Sequence, residues 1–354
     1  MTNQPYETKV YYALALDPVH VGTGGMVIGR VDNPIVRDPL TQLPKLPATS
    51  LAGVARAYTA MHYPEKFLRQ DEAPSRLTPR NGGRDGASEM TAEGKKVVYK
   101  SCAGAIAPKA GPRPGGAEEG PCGERTCPVC VTYGFGLEDM RGLPSMAQFF
   151  DAQIIFFPVN TMLGPVWVTA PTPLNSLAEA KLLPTASLTI RLAPGQYGLQ
   201  TALKSGARTN KLNLGWLLLT ITNDSSPLTS QSIAAFQKAG VPAEVLNRLA
   251  LVPDELFGQV VNNNLEVRTS TAINHATGAS LEGALFTYEA IPRGTVFSFT
   301  VVYKDPRSFV LDGSPLSQDL DWVKDNVEKG LAYVEYLGLG GMVTRGMGRL
   351  RITS

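Results

Sequence analysis

The sequence is short of the residues on which several large function classes depend. It has three histidines in 354 residues, at positions 20, 62 and 275, with no metal-ligand spacing among them and no His-Glu-x-x-His helix, so a zinc-dependent hydrolase stays only as an alternative that would need an open position on the zinc. It has no Gly-x-Ser-x-Gly elbow for a serine hydrolase. No apolar run reaches the ~20 residues that span a membrane. The first residues, Met1-Thr2-Asn3-Gln4-Pro5-Tyr6-Glu7, lack the basic start and apolar stretch of a secretory signal. The protein is therefore expected in the cytoplasm, away from membranes, with its four cysteines as reduced thiols or metal ligands and not as disulfides. Net charge is only +2, from 33 basic and 31 acidic residues. That excludes a protein coated with nucleic acid on every face, but not one with a single nucleic-acid groove. No internal repeat recurs at a fixed period.

What is present suits a sizeable fold. Apolar residues make up 43% of the chain and charged residues 18%, while 35 glycines and 27 prolines imply many turns. The length fits two domains, or one with large insertions. Alternation and β-branched content predict strands over 8–21, 148–157, 166–169, 187–192, 214–222 and 349–353, and a long hairpin over 251–303 turning near Ala276-Thr277-Gly278. Segment 35–47 reads as extended. Thr49 or Ser50 caps a helix from Leu51 to about Tyr63. Further helices are expected over 177–182, over 230–249 with a break at Gly240-Val241-Pro242, and over 317–336. Strands and helices mix without strict βαβ alternation, so the class is α+β, or a ferredoxin-like sheet with insertions. Residues 64–145 differ in texture: charge, Gly and Pro dominate, all four cysteines lie here, and the run 110–116 cannot hold regular structure. This reads as an insertion.

Four segments carry chemistry. In the first, His20-Val21-Gly22-Thr23-Gly24-Gly25 precedes Arg30-Val31-Asp32-Asn33-Pro34. Glycines let a loop approach a polyanion and turn its amides towards it. A carboxylate at Asp32 can hold a divalent cation against a phosphodiester or help deprotonate a 2′-hydroxyl. The same residue also reads as an ordinary turn aspartate before Asn-Pro. In the second, the helix start at Pro47-Ala48-Thr49-Ser50 offers amides and hydroxyls to a phosphate, with Lys45 and Arg56 adding charge; on this segment alone an ordinary capped helix is the better explanation. The third, Gly338 to Arg349, packs five glycines and two arginines into twelve residues, including Gly340, Gly341, Thr344 and Arg345. It lacks the Gly-Lys-Ser/Thr of a nucleotide loop, so a single-stranded backbone is the better ligand. The fourth, Cys102 with Cys122-x4-Cys127-Pro128-Val129-Cys130, suits a closed four-thiolate structural zinc site; free thiols, a three-cysteine site or a redox Cys-x2-Cys are the alternatives. Asp151, inside an apolar run, reads as structural.

As a set these segments resemble a known family. His20-x-Gly22-Thr23-Gly24, then Val31-Asp32-Asn33-Pro34-Ile35-Val36-Arg37-Asp38, then Leu43-Pro44-x-Leu46-Pro47-x-x-Ser50-Leu51-x-Gly53 look like the start of RAMP-superfamily backbone proteins of type III CRISPR complexes. Phe149-Phe150-Asp151-Ala152 through Val159, Trp167-Val168-Thr169-x-Pro171, Gly283-Ala284-Leu285-Phe286 through Pro292, and Gly340-Gly341 to Gly348 complete the likeness, which is to the Cmr (type III-B) kind, with a cysteine insertion more like the Csm kind. The chain departs from the family's Pro-Gly-Ser-Ser-Leu-Lys-Gly by Pro47-Ala48-Thr49-Ser50-Leu51-Ala52-Gly53, and its cluster Tyr288-Glu289-Ala290 is thinner. The resemblance implies a palm related to the RNA-recognition motif over 1–63 and 146–354, a zinc-bearing finger over 64–145, and a β-hairpin thumb over about 258–290 whose Arg268, Thr269 and Ser270 face RNA. It implies binding of guide crRNA and target RNA, copies of the chain in a helical backbone with other type III subunits, and metal-dependent cutting with Mg²⁺ or another divalent cation at Asp32, with His20 beside it. A non-catalytic guide scaffold is the alternative.

Overall fold

The computed structural model describes residues 4–24, 31–64, 68–71, 90–92, 95–99, 102, 121–136, 142–179, 198–203, 210–281 and 283–354. The expected strand over 187–192, the run 110–116 and Gly25 lie outside them, as does most of 64–120. In chain order, β1 (Tyr6–Ala15) and β2 (Lys45–Leu46) lead into α1 (Ala48–His62). A small antiparallel sheet follows, β3 (Leu68–Asp71), β4 (Met90–Ala92) and β5 (Lys95–Tyr99). Next come α2 (Pro128–Tyr133), β6 (Phe135–Gly136), β7 (Gly142–Leu143) and β8 (Ala147–Phe149). After them run β9 (Ala152–Thr161), β10 (Gly164–Thr169), α3 (Pro171–Glu179), β11 (Gly198–Thr201), β12 (Lys211–Leu214) and β13 (Leu217–Asn223). α4 (Ser230–Lys238), α5 (Ala243–Asn247), β14 (Leu249–Leu251) and α6 (Asp254–Asn263) precede the hairpin β15 (Glu266–Ser270) and β16 (Phe286–Ala290). The chain closes with β17 (Val296–Lys304), the ladder β18 (Val310–Leu311) and β19 (Ser314–Pro315), α7 (Leu320–Ala332), α8 (Val334–Leu337) and β20 (Leu350–Thr353).

These elements form two compact units, Met1–Lys9, Leu51–Phe149 and Val301–Tyr333 in one, and Val10–Ser50, Phe150–Thr300 and Val334–Ser354 in the other. The second is built on a mixed sheet with strand order β12-β13-β11-β14-β10-β9-β17-β1-β20. Two pairs in it, β10 with β14 and β11 with β13, are parallel. The apolar run Ile154-Ile155-Phe156-Phe157 is buried throughout, as a strand covered on both faces must be. Around it Tyr12, Trp167, Leu174, Phe236, Val245 and Leu249 form one cluster, with Phe156 edge-on to Phe236 at 5.2 Å. Each such aromatic contributes about 2–3 kcal/mol by leaving water. In the first unit, Gly330 lets α7 meet α1 backbone to backbone, since a Cβ there would lie 2.4 Å from the Ala55 carbonyl. A buried polar network binds the same helices: Thr59 Oγ1 donates to the Asn326 carbonyl at 2.9 Å and Tyr63 OH to Asn326 Oδ1 at 2.8 Å.

The expected mixture of strands and helices is present, with a large mixed sheet, and several of the expected elements change; the helix expected over 177–182 begins earlier, as Pro171–Glu179, with 180–182 outside the described residues. Residues 254–263 are a helix, not part of a long hairpin; Pro253 sets the turn, Asp254 and Glu255 fill the first turn, and Phe257, Val260 and Val261 give it a buried face. The strand expected over 148–157 is two, because Asp151 leaves the ladder to make polar contacts described below. The stretch 214–222 is likewise split by a turn at Gly215, which has a positive φ of 64°. β1 stops at Ala15 instead of continuing to 21, since Pro18 has no amide to give a sheet. α1 begins at Ala48 rather than Leu51, and neither Thr49 nor Ser50 is its cap. The break at 240–242 is where the sequence puts it. Among the described residues no helix is long and apolar enough to cross a membrane.

Candidate nucleic-acid interface

In the second unit, three segments far apart in sequence converge. The loop after β1 pairs with the Gly-rich loop after α8, through the Gly341 amide donating to the His20 carbonyl at 2.8 Å. It also pairs with the segment entering β2, through Val36 N–H to the Val21 carbonyl at 2.8 Å. Together His20, Gly22, Thr23, Gly24, Asn33, Pro34 and Gly341 line an open cavity of about 390 Å³. Glycine is needed at Gly340: its φ is +90°, and a Cβ would meet the His20 carbonyl oxygen at 2.4 Å. At Gly22 a Cβ would sit 3.0 Å from His20 Nε2, so this end of the imidazole lies close against bare backbone. Gly22, Thr23, Gly24, Gly340, Gly341, Thr344 and Arg345 are all exposed.

His20 itself is buried, at 6% exposure. Its Nδ1 lies 2.6 Å from the Glu289 carbonyl oxygen. A carbonyl only accepts, so Nδ1 carries a proton, and Nε2 is the ring nitrogen on the Gly22 side. Tyr288 packs edge-on to the ring at 5.8 Å.

Asp32 is clamped to β16. Its Oδ2 accepts from the Thr287 amide at 2.7 Å and from the Thr287 hydroxyl at 2.9 Å, and its own amide donates to Thr287 Oγ1 at 3.1 Å. These bonds, from the Thr287 amide first, hold the carboxyl below its ordinary pKa. Oδ1 takes no hydrogen bond from a described residue. Asn33, the next residue, lines the cavity, and its amide donates to the Thr287 carbonyl at 3.0 Å. Two residues on, Glu289 supports the same loop: its buried carboxylate pairs with Arg37 at 2.8 Å and accepts from the Ile35 amide at 3.4 Å. Thr287 and Glu289 therefore share one face of a strand and hold 32–37 in place. Sequence reading passed over Thr287 and Arg37; the period-2 spacing of polar residues in an otherwise apolar strand was the available signal.

The other expected RNA contacts are distributed less simply. Ser270 on β15 accepts from Arg345 Nη1 at 3.2 Å, and the Arg345 guanidinium covers the Phe286 ring at 5.5 Å, joining the Gly-rich loop to the hairpin. Arg268 pairs with Glu266 within β15, and Thr269 is exposed beside it. Lys45, Thr49 and Ser50 do not line the cavity. Lys45 Nζ is held by Asp151 at 2.6 Å and by Asp38 at 3.6 Å. Asp151 also accepts the Ala48 amide at 2.7 Å, so it caps α1 in place of a serine or threonine. Arg56 lies in the first unit, where Nε donates to the Cys102 carbonyl at 2.7 Å.

The four cysteines also lie in the first unit. Their sulfurs are all within 4.8 Å of one another, and Cys130 Sγ is 3.7 Å from both Cys122 and Cys102. Tetrahedral thiolates about 2.3 Å from a zinc ion stand about 3.8 Å apart, so the set fits that metal. The Cys130 amide donates to Cys127 Sγ at 3.3 Å and the Cys122 amide to Cys102 Sγ at 3.1 Å. Hydrogen bonds from the other three thiols hold Cys102 far below its ordinary pKa, while Cys127 and Cys130 are pushed up, by Cys102 first. Four sulfurs this close together suit a cation bound among them, since it would favour their ionised form.

The RAMP superfamily profile matches residues 13–351. The chain belongs to the RAMP superfamily. Over 207 residues this RAMP chain is 26% identical to the Cmr endoribonuclease Cmr4 of Pyrococcus furiosus, which is 57% of this chain and 67% of that protein. Over 81 residues it is 35% identical to the endoribonuclease Csm3 of Enterococcus italicus, 22% of this chain and 38% of that one. A structure of the type III-B Cmr-beta complex bound to cognate target RNA contains a chain of the same fold, with TM-score 0.55, 16% identity, and 98% and 96% of the two chains covered.

Proposed function

We propose that this RAMP chain is a guide-crRNA-binding backbone subunit of a type III interference complex, of the Cmr kind, and that it cuts complementary target RNA at regular intervals with Asp32. One arrangement carries the reading: glycine loops at 22–24 and 340–341 line a cavity with Asn33, while the adjacent Asp32 is fixed to the β15–β16 hairpin with one carboxylate oxygen to offer. In this reading the mixed sheet is the ferredoxin-like palm related to the RNA-recognition motif, the β15–β16 hairpin is the thumb, and the cysteine-bearing region over 64–145 is a finger stapled by structural zinc. Its partners are guide crRNA, target RNA, further copies of itself and other type III subunits. The names of the relatives support an endoribonuclease, and the Cmr-beta complex was solved with target RNA bound.

Exposed backbone amides and the Arg345 guanidinium hold the sugar-phosphate chain. The target's 2′-oxygen attacks its own phosphate; a 2′-O–P bond forms, the P–O5′ bond breaks, and the products are a 2′,3′-cyclic phosphate and a 5′-hydroxyl. The proton leaves the 2′-hydroxyl and one is returned to the 5′-oxygen, and His20 Nε2 is the ring nitrogen beside the cavity that can carry a proton between them. Asp32, kept ionised by Thr287, is a weak base and suits a cation or a hydroxyl proton better than full proton abstraction. Its Oδ1 and the target's phosphate oxygens are groups that fit Mg²⁺, which binds through few carboxylates plus substrate phosphates. Such a cation, when bound, neutralises charge on the pentacoordinate phosphorus. Thumb-imposed distortion of the duplex supplies in-line geometry, so positioning outweighs base strength.

The test is the Asp32→Ala variant in the reconstituted complex. Assembly and guide binding should persist while cutting falls about 10²–10⁴-fold, the range for losing an acid–base or charge-stabilising group. Cutting at the same positions and at the wild-type rate would overturn the assignment. Sequencing of small RNA co-purified from the native host checks the wider reading; a common repeat-derived 5′ tag is expected.

A further inference from the structure

We propose that Thr287 is the positioning residue of the cut, and that through it the Asp32 carboxylate travels with the β15–β16 hairpin. This rests on the reading of Asp32 as the cutting carboxylate. Three hydrogen bonds join the two residues in a closed circuit: Thr287 N–H and Oγ1–H both donate to Oδ2, and the same hydroxyl accepts the Asp32 amide. A fourth bond, Asn33 N–H to the Thr287 carbonyl, locks the neighbouring backbone. Among the described residues, Thr287 is the one residue besides Asp32 itself whose hydrogen bonds reach that carboxylate.

Two consequences follow. First, the rotamer of Asp32 is selected from outside its own loop: Oδ2 is committed inside the protein and Oδ1 alone faces a ligand. Second, Thr287 stands directly opposite Thr269 in the β15–β16 ladder, next to Arg268 and Ser270. Any shift of the hairpin when a guide–target duplex wedges against it is passed to Asp32 through one residue. Cutting is then coupled to correct seating of the hairpin, and a badly seated duplex meets a displaced carboxylate. A β-branched residue with a hydroxyl suits this task, since its χ1 is stiff and the single oxygen both donates and accepts.

The experiment compares Thr287→Val, Thr287→Ser and Asp32→Ala in the assembled complex. Thr287→Val keeps the shape and the amide but removes the hydroxyl. It should bind guide and target normally, cut about tenfold or more slowly at saturating target, and need more Mg²⁺ for half-maximal rate. Thr287→Ser should restore most of the rate, which a packing role would not. If Thr287→Val cuts as wild type while Asp32→Ala does not, the positioning role is overturned and the assignment of Asp32 stands. If Asp32→Ala itself still cuts, the underlying reading fails instead. A readout free of catalysis is hydrogen exchange of the Thr287 amide in the unassembled chain. Asp32→Ala should accelerate it, whereas unchanged protection would show that the circuit does not hold the loop, even if Thr287→Val failed to assemble.

Discussion

The cysteine cluster and the Asp32 site are both small sets of polar groups, yet they are built on opposite principles. The four sulfurs close on one another, with three of the four cysteines buried, and a tetrahedral metal would leave no position open. At Asp32 the protein bonds one oxygen through Thr287, and the next residue, Asn33, lines an open cavity with Gly22, Gly24 and Gly341. A closed set of metal ligands would stabilise a fold, whereas a carboxylate with one oxygen free of bonds from described residues suits the chemistry proposed for it. The contrast also separates their energetics. The thiolate site should dominate the stability of its own unit, whereas changes at the open site should alter function while stability changes little.

The sharpest way to break this comparison is to remove two of the four cysteines. Replacing Cys127 and Cys130 together by serine should abolish zinc binding, read as loss of about one equivalent by elemental analysis. Structural zinc sites are worth on the order of 10 kcal/mol of folding free energy, so the unit around α1, α2 and α7 should lose its cooperative unfolding transition. A double variant that unfolds as wild type does would mean the cluster is four packed thiols and the contrast is false.

A smaller effect is expected at the open site. Gly340→Ala must hold a φ of +90° and displace a carbonyl oxygen 2.4 Å away. That should cost about 2–3 kcal/mol, from strain near 1–3 kcal/mol plus the local shift. The same change moves the His20 carbonyl, so guide-RNA affinity should fall with it. Loss of stability without loss of affinity would place the RNA elsewhere than the 20–24 and 340–341 loops.

The two sites differed in the same way in how far the sequence revealed them. The cysteines announce themselves because their chemistry is local: Cys127-Pro128-Val129-Cys130 alone fixes two ligands on one turn, and only Cys102 must come from further off. The glycine loops were legible as close-approach segments, and Asp32 as a residue among them. What closes the Asp32 site was not. Thr287 is 255 positions away and Glu289 is 252 from Arg37, and nothing in a strand such as Phe286-Thr287-Tyr288-Glu289-Ala290 says which loop its polar face will grip. The same blindness to long-range contacts explains Asp151. A carboxylate 103 residues downstream caps α1, so the expected serine or threonine cap was chemically sound yet displaced. Helix 254–263 is a different case: its Pro-Asp-Glu start and i, i+3, i+4 apolar spacing were present locally, and the β-branched Val260-Val261 pair masked them.

The smallest predicted effect tests whether exposed charge pairs beside the open site matter to folding at all. Arg349 pairs with Asp17 on the second unit's surface, and this hydrogen bond, before any other influence, lowers the Asp17 pKa. A carboxyl with a depressed folded pKa adds stability that is fully present above its unfolded value, near 4, and is lost as pH falls through the folded value. Arg349→Ala should therefore lower the melting temperature slightly at neutral pH, and the difference from wild type should vanish as the solution is taken well below pH 4. The pair is exposed, so the neutral-pH difference should not exceed about 1 kcal/mol and should shrink in high salt. A penalty that persists in strong acid would mean that Arg349 acts through its packing and not through its charge, and the surface around the open site would then resemble the cysteine unit more than the contrast allows.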